Sequence, residues 1–326
     1  MDNHAEVEKV IKRIHEDAIG GAADIAKEVV TALSKMVRDS ESGSGEELIE
    51  ELEGAIIGIL GVMSSFAPPV NAINRLMILV ESQVDEKSSV DVIRSKVSEF
   101  EKDFLGFAEN ALEQIAEIGA EKINDGDVVF MYSMSSTVWK ILEFAKNQGK
   151  RFKVFVTESR PGNEGLWTVD EMNRLDIPVA VSIDACIGEL IPQTDIIFVG
   201  ADAIASTGVT LCKVGTYPVA SIADRHGVPF YVAADTLKFD PTTLLGLPFV
   251  SEPVSNFRHQ VFASEDDYPE VEIVGTMFDE TPATLISGII SETGILPAQA
   301  CATIMQEISL SEIMQQLLPQ WAKGEL

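Results

Sequence analysis

An α/β fold, with an all-helical N-terminal third followed by a domain built on a parallel sheet, is predicted by three features of the 326-residue chain. Up to Ile123 the apolar residues recur at helical spacing. After Asn124 they gather into short, β-branched runs that alternate with helix-like segments, and each run closes on a polar or Gly-containing turn. Continuous apolar strands are what a parallel sheet covered on both faces requires. The expected division is a helical domain over residues 1–124 and a sheet domain, carrying ligand binding and dimerisation, over 125–326.

Val7, Val10, Ile11, Ile14 and Ala18 open the amphipathic pattern of residues 5–37. A polar, Gly/Ser-rich stretch over 39–47 separates it from a second pattern over 48–63, and the breaker at 64–69 precedes a third over 70–81. A long helix is expected over 90–123, with Val97, Phe100, Phe104, Phe107, Leu112 and Ile115 in its buried stripe. The expected strands are 127–132, 151–158, 177–183, 195–200 and 229–234. Open α/β sheets bind ligands in the crevice at the carboxyl ends of their strands, so a site should be built from the turns after Tyr132, Glu158, Ile183, Gly200 and Ala234.

Charge narrows the function. The 52 acidic residues against 24 basic ones give a net charge of -28, a field that repels polyanions and excludes direct nucleic-acid binding through a basic face. A solubilising surface and a basic protein partner are the two readings of that charge. Cys186, Cys212 and Cys301 are too few and too scattered for a disulfide framework. The longest apolar run, 55–63, is too short and Gly-broken to span a bilayer. A reducing, cytoplasmic location away from membranes is therefore expected.

The turns carry the chemistry. Ser133-Met134-Ser135-Ser136-Thr137 leads into a helix, where hydroxyls and free N–H groups suit a phosphate or, equally, a plain N-cap. Arg160, beside Pro161, has a guanidinium that can fork onto phosphate or carboxylate, or pair with Glu158 or Glu164. Asp202 leaves a buried strand with Lys213 a short hairpin away, offering an acid/base group and an anchor for a small anion, or else a structural ion pair. Cys212 is either a thiol activated by Lys213 or core packing. Asp279 is expected in a turn and helix cap ahead of the apolar run 285–290. His4, His15, His226 and His259 lack metal-ligand spacing and no P-loop is present, so neither metal nor cofactor is expected.

The set ESRPGNEG, GADAI, CKVGTYPVA, PFYVAADTLKFD and MFDETPATLISGIISETGILP, in this order after a helical third, resembles the translation initiation factor 2B alpha/beta/delta family. Ribose-1,5-bisphosphate isomerase and methylthioribose-1-phosphate isomerase also belong to that family. The resemblance implies a Rossmann-like (NagB/RpiA/CoA-transferase-like) second domain, dimers or higher homo-oligomers, and a phosphorylated sugar or nucleotide as ligand. It further implies proton transfer, in the isomerases, by the aspartate matching Asp202 and by a cysteine whose place Ser133 takes here. Thr207 and Cys212 stand where the isomerases have asparagines, and Ala67-Pro68 where they have an arginine-proline element. The arginine that usually precedes Gly-Ala near the N-terminus is missing from Ile19-Gly20-Gly21-Ala22. Ligand contacts are expected from Ser135, Ser136, Arg160, Thr207, Cys212 and Lys213. A serine hydroxyl is a far poorer proton donor or nucleophile than a thiol. The leading expectation is thus a non-catalytic or weakly catalytic regulatory protein acting through partners such as an initiation factor 2 subunit, with an Asp202-dependent aldose–ketose isomerase as the alternative.

Overall fold

The computed structural model describes residues 5–15, 21–63, 66–249, 258–262, 264 and 267–325. His4, Ile19, Gly20, Ser64 and Ser65, on which parts of the sequence expectations fall, lie outside them, as does the side chain of His259. The helices α1 (Ala5–His15), α2 (Ala22–Asp39), α3 (Gly45–Leu60), α4 (Ala67–Asp85) and α5 (Val90–Ala120) occupy the N-terminal third. α4 starts three residues earlier than the periodicity predicts, because Pro68 and Pro69 fall in its first turn, where a helix has no use for their missing N–H groups.

The rest of the chain supplies β1 (Val128–Met131), α6 (Ser136–Asn147), β2 (Lys153–Thr157), α7 (Glu164–Arg174), β3 (Val179–Ser182), α8 (Ile187–Leu190) and β4 (Ile196–Val199). There follow β5 (Ala203–Ile204), β6 (Thr210–Lys213), α9 (Thr216–His226), β7 (Phe230–Ala233), α10 (Arg258–Val261), β8 (Phe278–Thr281), β9 (Gly288–Ser291), β10 (Gly294–Leu296), α11 (Cys301–Met305) and α12 (Glu312–Trp321). All five expected strands form. They lie in a seven-stranded sheet of order β10-β9-β7-β4-β1-β2-β3, parallel except for β10. A small antiparallel sheet, β5-β6-β8, stands beside it in the sequence order of strands.

One expectation is corrected here. Asp279 lies on strand β8, and the apolar run 285–290 ends in strand β9, not in a helix. Gly288–Ser291 is wholly buried, and its ladder to β7 satisfies the backbone that a helix would otherwise have closed internally.

Two compact units divide the residues, and the division departs from a cut at 124/125: residues 1–109, 237–250 and 304–326 form one, 110–236 and 251–303 the other. The reason is visible in α12. Met314, Leu317, Leu318 and Trp321 recur at i, i+3, i+4 and i+7, and all four are buried in the helical core with Leu52, Ile56, Ile73 and Met77. The donors at its start are satisfied by α4: Glu81 accepts from the N–H groups of Glu312 and Ile313 at 2.9 and 3.1 Å, and Asn74 Oδ1 from that of Ser311 at 2.9 Å. Trp321 Nε1 donates to the carbonyl of Met63 at 3.1 Å. In the same unit Asn71 donates to the carbonyls of Leu237 and Phe239, 2.7 Å from each, fixing the chain on either side of Lys238.

In the second unit, α6 and α7 cover one face of the sheet, with Val138, Ile141, Leu142 and Met172 packed on Val129, Met131, Val154 and Phe198. The start of α7 approaches β2 so closely that a Cβ on Gly165 would fall 1.8 Å from the carbonyl oxygen of Thr157. Replacing Leu318 with Ala should cost about 2–5 kcal/mol, the range for an emptied core site. Urea denaturation of the full chain measures it, and a loss below 1 kcal/mol would place α12 outside the core.

Candidate functional site

The site is built at the carboxyl edge of the parallel strands. β1 ends in Tyr132 and Ser133, β2 in Glu158 and Ser159, β3 leads into Asp184, and β4 into Gly200 and Asp202. Two of these residues sit in the left-handed region although neither is glycine: Ser133 and Ser159, each with φ of 60°. Such backbone costs of order 1–3 kcal/mol and persists only where neighbours fix it. Here they do. The N–H of Ser133 donates to Ser159 Oγ at 2.8 Å, and the carbonyl of Ser133 accepts from Thr168 Oγ1 at 2.9 Å. Thr168 in turn accepts from Trp139 Nε1 at 3.0 Å. Asp184 takes the N–H groups of Ser159 and Arg160 at 2.9 and 2.7 Å.

Ser135 is the N-cap of α6, its Oγ accepting from the N–H of Val138 at 3.3 Å, and Ser136 is the first helical residue. The plain capping role is therefore used, and by Ser135. A Cβ on Gly200 would lie 2.7 Å from Ser135 Oγ, so only glycine lets the turns after β1 and β4 approach this closely. Cys212 is 3% exposed and its thiol donates to the carbonyl of Gly200 at 3.3 Å, which joins β6 to the same turn. Asp202 is half-buried at the head of the β5–β6 hairpin, its N–H donating to the carbonyl of Leu211 at 2.9 Å. The register of that hairpin sets Asp202 opposite Cys212.

Lys213 has its ammonium 2.5 Å from Glu164 Oε1, with both side chains largely buried. The ion pair at this lysine is thus made across to the start of α7. Arg160 is exposed on the loop after β2. The structure brings Ser133, Ser135, Asp202, Cys212 and Lys213 to one end of the sheet, and Thr207 is at the exposed apex of the β5–β6 turn.

Four residues outside the expected site set also belong to this region. Glu164 pairs with Lys213, Asp184 holds the arginine loop, and Tyr132 donates from its hydroxyl to the carbonyl of Val214 at 2.9 Å. Burial first, then the charges of Asp184, Asp279, Glu164 and Glu158, hold the Tyr132 phenol well above its ordinary range. Asp279 caps α9 from a distant strand, its carboxylate accepting from the N–H of Gly215 at 2.7 Å and of Tyr217 at 3.2 Å. Gly215 is required there: its φ is 103°, and a Cβ would meet the Tyr132 hydroxyl at 2.0 Å. Asp184 could have been found, because it directly follows a strand end named as a site turn; Glu164 and Asp279 are expected as an ion-pair partner and a cap, but with the wrong partners, the actual ones lying 49 and 64 positions away.

A mostly parallel sheet with helices packed on it and left-handed turns at its carboxyl edge defines a Rossmann-like α/β fold. The chain belongs to the initiation factor 2 subunit family, whose model matches residues 18–298. It is 31% identical to ribose 1,5-bisphosphate isomerase of Pyrococcus furiosus over 304 residues, 93% of this chain and 94% of that one. The crystal structure of translation initiation factor eIF-2B from Pyrococcus horikoshii superposes with a TM-score of 0.74 at 31% identity, covering 89% of this chain and 96% of that one. A chain of the tetrameric eIF2B-beta2-delta2 complex from C. thermophilum shares the fold, with a TM-score of 0.74 at 20% identity over 94% of this chain and 95% of that one. Among the described residues no helix is long and apolar enough to cross a membrane.

Burial pushes the Asp279 carboxyl from its usual 3.8 up to about 6, against the two capping N–H bonds that lower it. Because the folded pKa is the higher one, the cost of holding the carboxylate buried is fully present above pH 6 and disappears as pH falls through 6 towards 4. The stability of the wild type minus that of Asp279→Asn should therefore favour the wild type more at pH 4 than at pH 7.5, by up to about 3 kcal/mol. Parallel urea titrations at the two pH values check the sign. Ser159→Ala should cost about 1–3 kcal/mol by leaving the buried Ser133 N–H without its acceptor, measured by the same method.

Proposed function

We propose that this chain is an aldose–ketose isomerase acting on a phosphorylated pentose. The observation that carries the proposal is Asp202, a half-buried carboxylate at the carboxyl edge of β4, beside the turn that ends β1 and the N-terminus of α6. The full-length similarity to ribose 1,5-bisphosphate isomerase supports it.

In this mechanism the ring C1–O bond of the sugar 1-phosphate breaks with its electron pair on the oxygen, which is protonated; Asp202 takes the proton from C2 to leave an enol and delivers it to C1 as the C2 hydroxyl loses its proton and becomes the ketone. The N–H groups at the start of α6 and the ammonium of Lys213 receive phosphate, the first through the positive end of the helix dipole. Lys213 is held for this by Glu164. Arg160 lies on the adjacent loop and closes on the same anion. Ser133 takes the place of a thiol and, with its carbonyl and N–H both engaged, serves to shape the turn.

Ser133 is also the observation behind a second reading, in which the phosphorylated sugar or nucleotide is a regulatory ligand and the protein works through an initiation factor 2 subunit. The tetramer of the C. thermophilum relative favours assembly of this chain, as a homodimer or larger, under either reading. Light scattering on the eluted protein is expected to return at least a dimer mass.

The deciding measurement is NMR of the pure protein with ribose 1,5-bisphosphate, following the ketose. Turnover is expected, falling about 10²-fold or more in Asp202→Asn at unchanged melting temperature. Ser133→Cys should raise it. No ketose, together with a rise in melting temperature on adding the sugar phosphate, would replace the isomerase with the regulatory reading.

A further inference from the structure

The strand β3 ends the seven-stranded sheet; it is blunted only by its shortness, four residues after Pro178. Its sequence, Val179-Ala180-Val181-Ser182, carries no charge, no proline and no bulge. The ladder fixes which groups face outward. The carbonyls of Pro178 and Ser182 accept from the N–H groups of Val154 and Glu158, so the even-numbered residues bond to β2. The main-chain groups of Val179 and Val181, and the N–H of Ile183, therefore point away from the sheet. Among the described residues nothing is bonded to them.

The side chains beside this edge are apolar and open. Val179 packs on the core beneath α7, but Val181 and Ile183, on the same face and nearer the carboxyl end, are 50% and 54% exposed. The first turn of α7 reaches that same end, since the N–H of Gly165 donates to the carbonyl of Glu158 at 3.2 Å. It presents Leu166 and Trp167, 45% and 52% exposed. Unpaired donors and acceptors thus run alongside a strip of four half-exposed apolar side chains, the arrangement by which a sheet edge accepts an added strand.

Charge selects the occupant. Glu158, Glu164 and Asp184 surround this end of the sheet, and together with Asp279 they raise the energy of a negative charge at Tyr132. The chain as a whole carries a charge of -28, which opposes pairing of this edge with a second copy of itself. We infer that β3 and the first turn of α7 form a docking edge for an extended segment of a partner protein in which basic and apolar residues alternate, added to the sheet as an eighth strand. Apolar side chains of the segment cover Val181, Ile183 and Trp167 while its Lys or Arg residues face the surrounding acids.

The test uses the full chain and two labelled nine-residue peptides, one alternating Lys with Val and one alternating Glu with Val, followed by fluorescence anisotropy. The Lys/Val peptide is expected to bind at least tenfold more tightly than the Glu/Val peptide and to weaken as salt is raised from 0.05 to about 1 M, where the Debye length falls to about 3 Å. Val181→Pro removes an outward N–H that the fold does not use and leaves the charge unchanged, so it should cost at least tenfold in affinity with no change in melting temperature. Val181→Lys gives an independent check should the proline variant fold poorly. Equal binding by Val181→Pro would reduce the effect to unspecific attraction and overturn the proposal. A wild-type dimer that Val181→Lys converts to monomer would assign the edge to a second copy instead.

Discussion

Parallel strands that share one direction must all end at one edge, and this constraint assembles the candidate site. β1, β2, β3 and β4 are drawn from positions 128 to 199, yet the ladder delivers Ser133, Ser159, Asp184 and Asp202 to the same end of the sheet. Once there, the turns are too crowded for ordinary residues. Gly165 against Thr157, Gly200 against Ser135 and Gly215 against Tyr132 are all approaches that a Cβ would forbid. Ser133 and Ser159 accept left-handed backbone for the same reason, and their mutual hydrogen bond offsets part of the strain.

The electrostatics of that edge are set by acids. Burial first, then the nearby charges of Asp184, Asp279, Glu164 and Glu158, raise the pKa of the Tyr132 phenol, and Glu164 already engages the ammonium of Lys213. A phosphate entering here meets a cation with a carboxylate partner, so the cost of binding includes loosening or sharing that pair. Under the proposed function, the N-terminus of α6 would offer the anion neutral main-chain donors beside that cation.

Much of the fold could be recognised in the sequence because burial leaves periodic traces. The five strands of 4 or 5 residues lie within the five β-branched runs, and α5 runs from Val90 to Ala120 against an expected 90–123. β9 escaped because Leu285–Ile290 is a short, mostly apolar run, Ser287 and Gly288 apart, which fits a buried helix segment as well as a buried strand. Asp279 was expected to cap a helix over 285–290; it lies on a strand instead, and the helix it caps begins at Thr216, sixty-odd positions earlier, brought to it only by the β6–β8 pairing. Thr207 was grouped with the ligand contacts by motif position, and the hairpin register puts it at the apex.

The sequence by itself determined the class of fold and the edge of the sheet at which the strand-end turns carrying Ser133, Arg160, Asp202 and Lys213 gather. Those follow from periodicity and from strand-end chemistry, which are local properties of the chain. Tertiary structure alone decided that Glu164 takes Lys213, that Asp184 takes the arginine loop, and that α12 returns to the helical core through Glu81, Asn74 and Met63. Each of these contacts joins residues from 24 to 258 positions apart. A carboxylate or an amide states in sequence only that it needs a partner; which partner it meets is fixed by the packing that closes the distance.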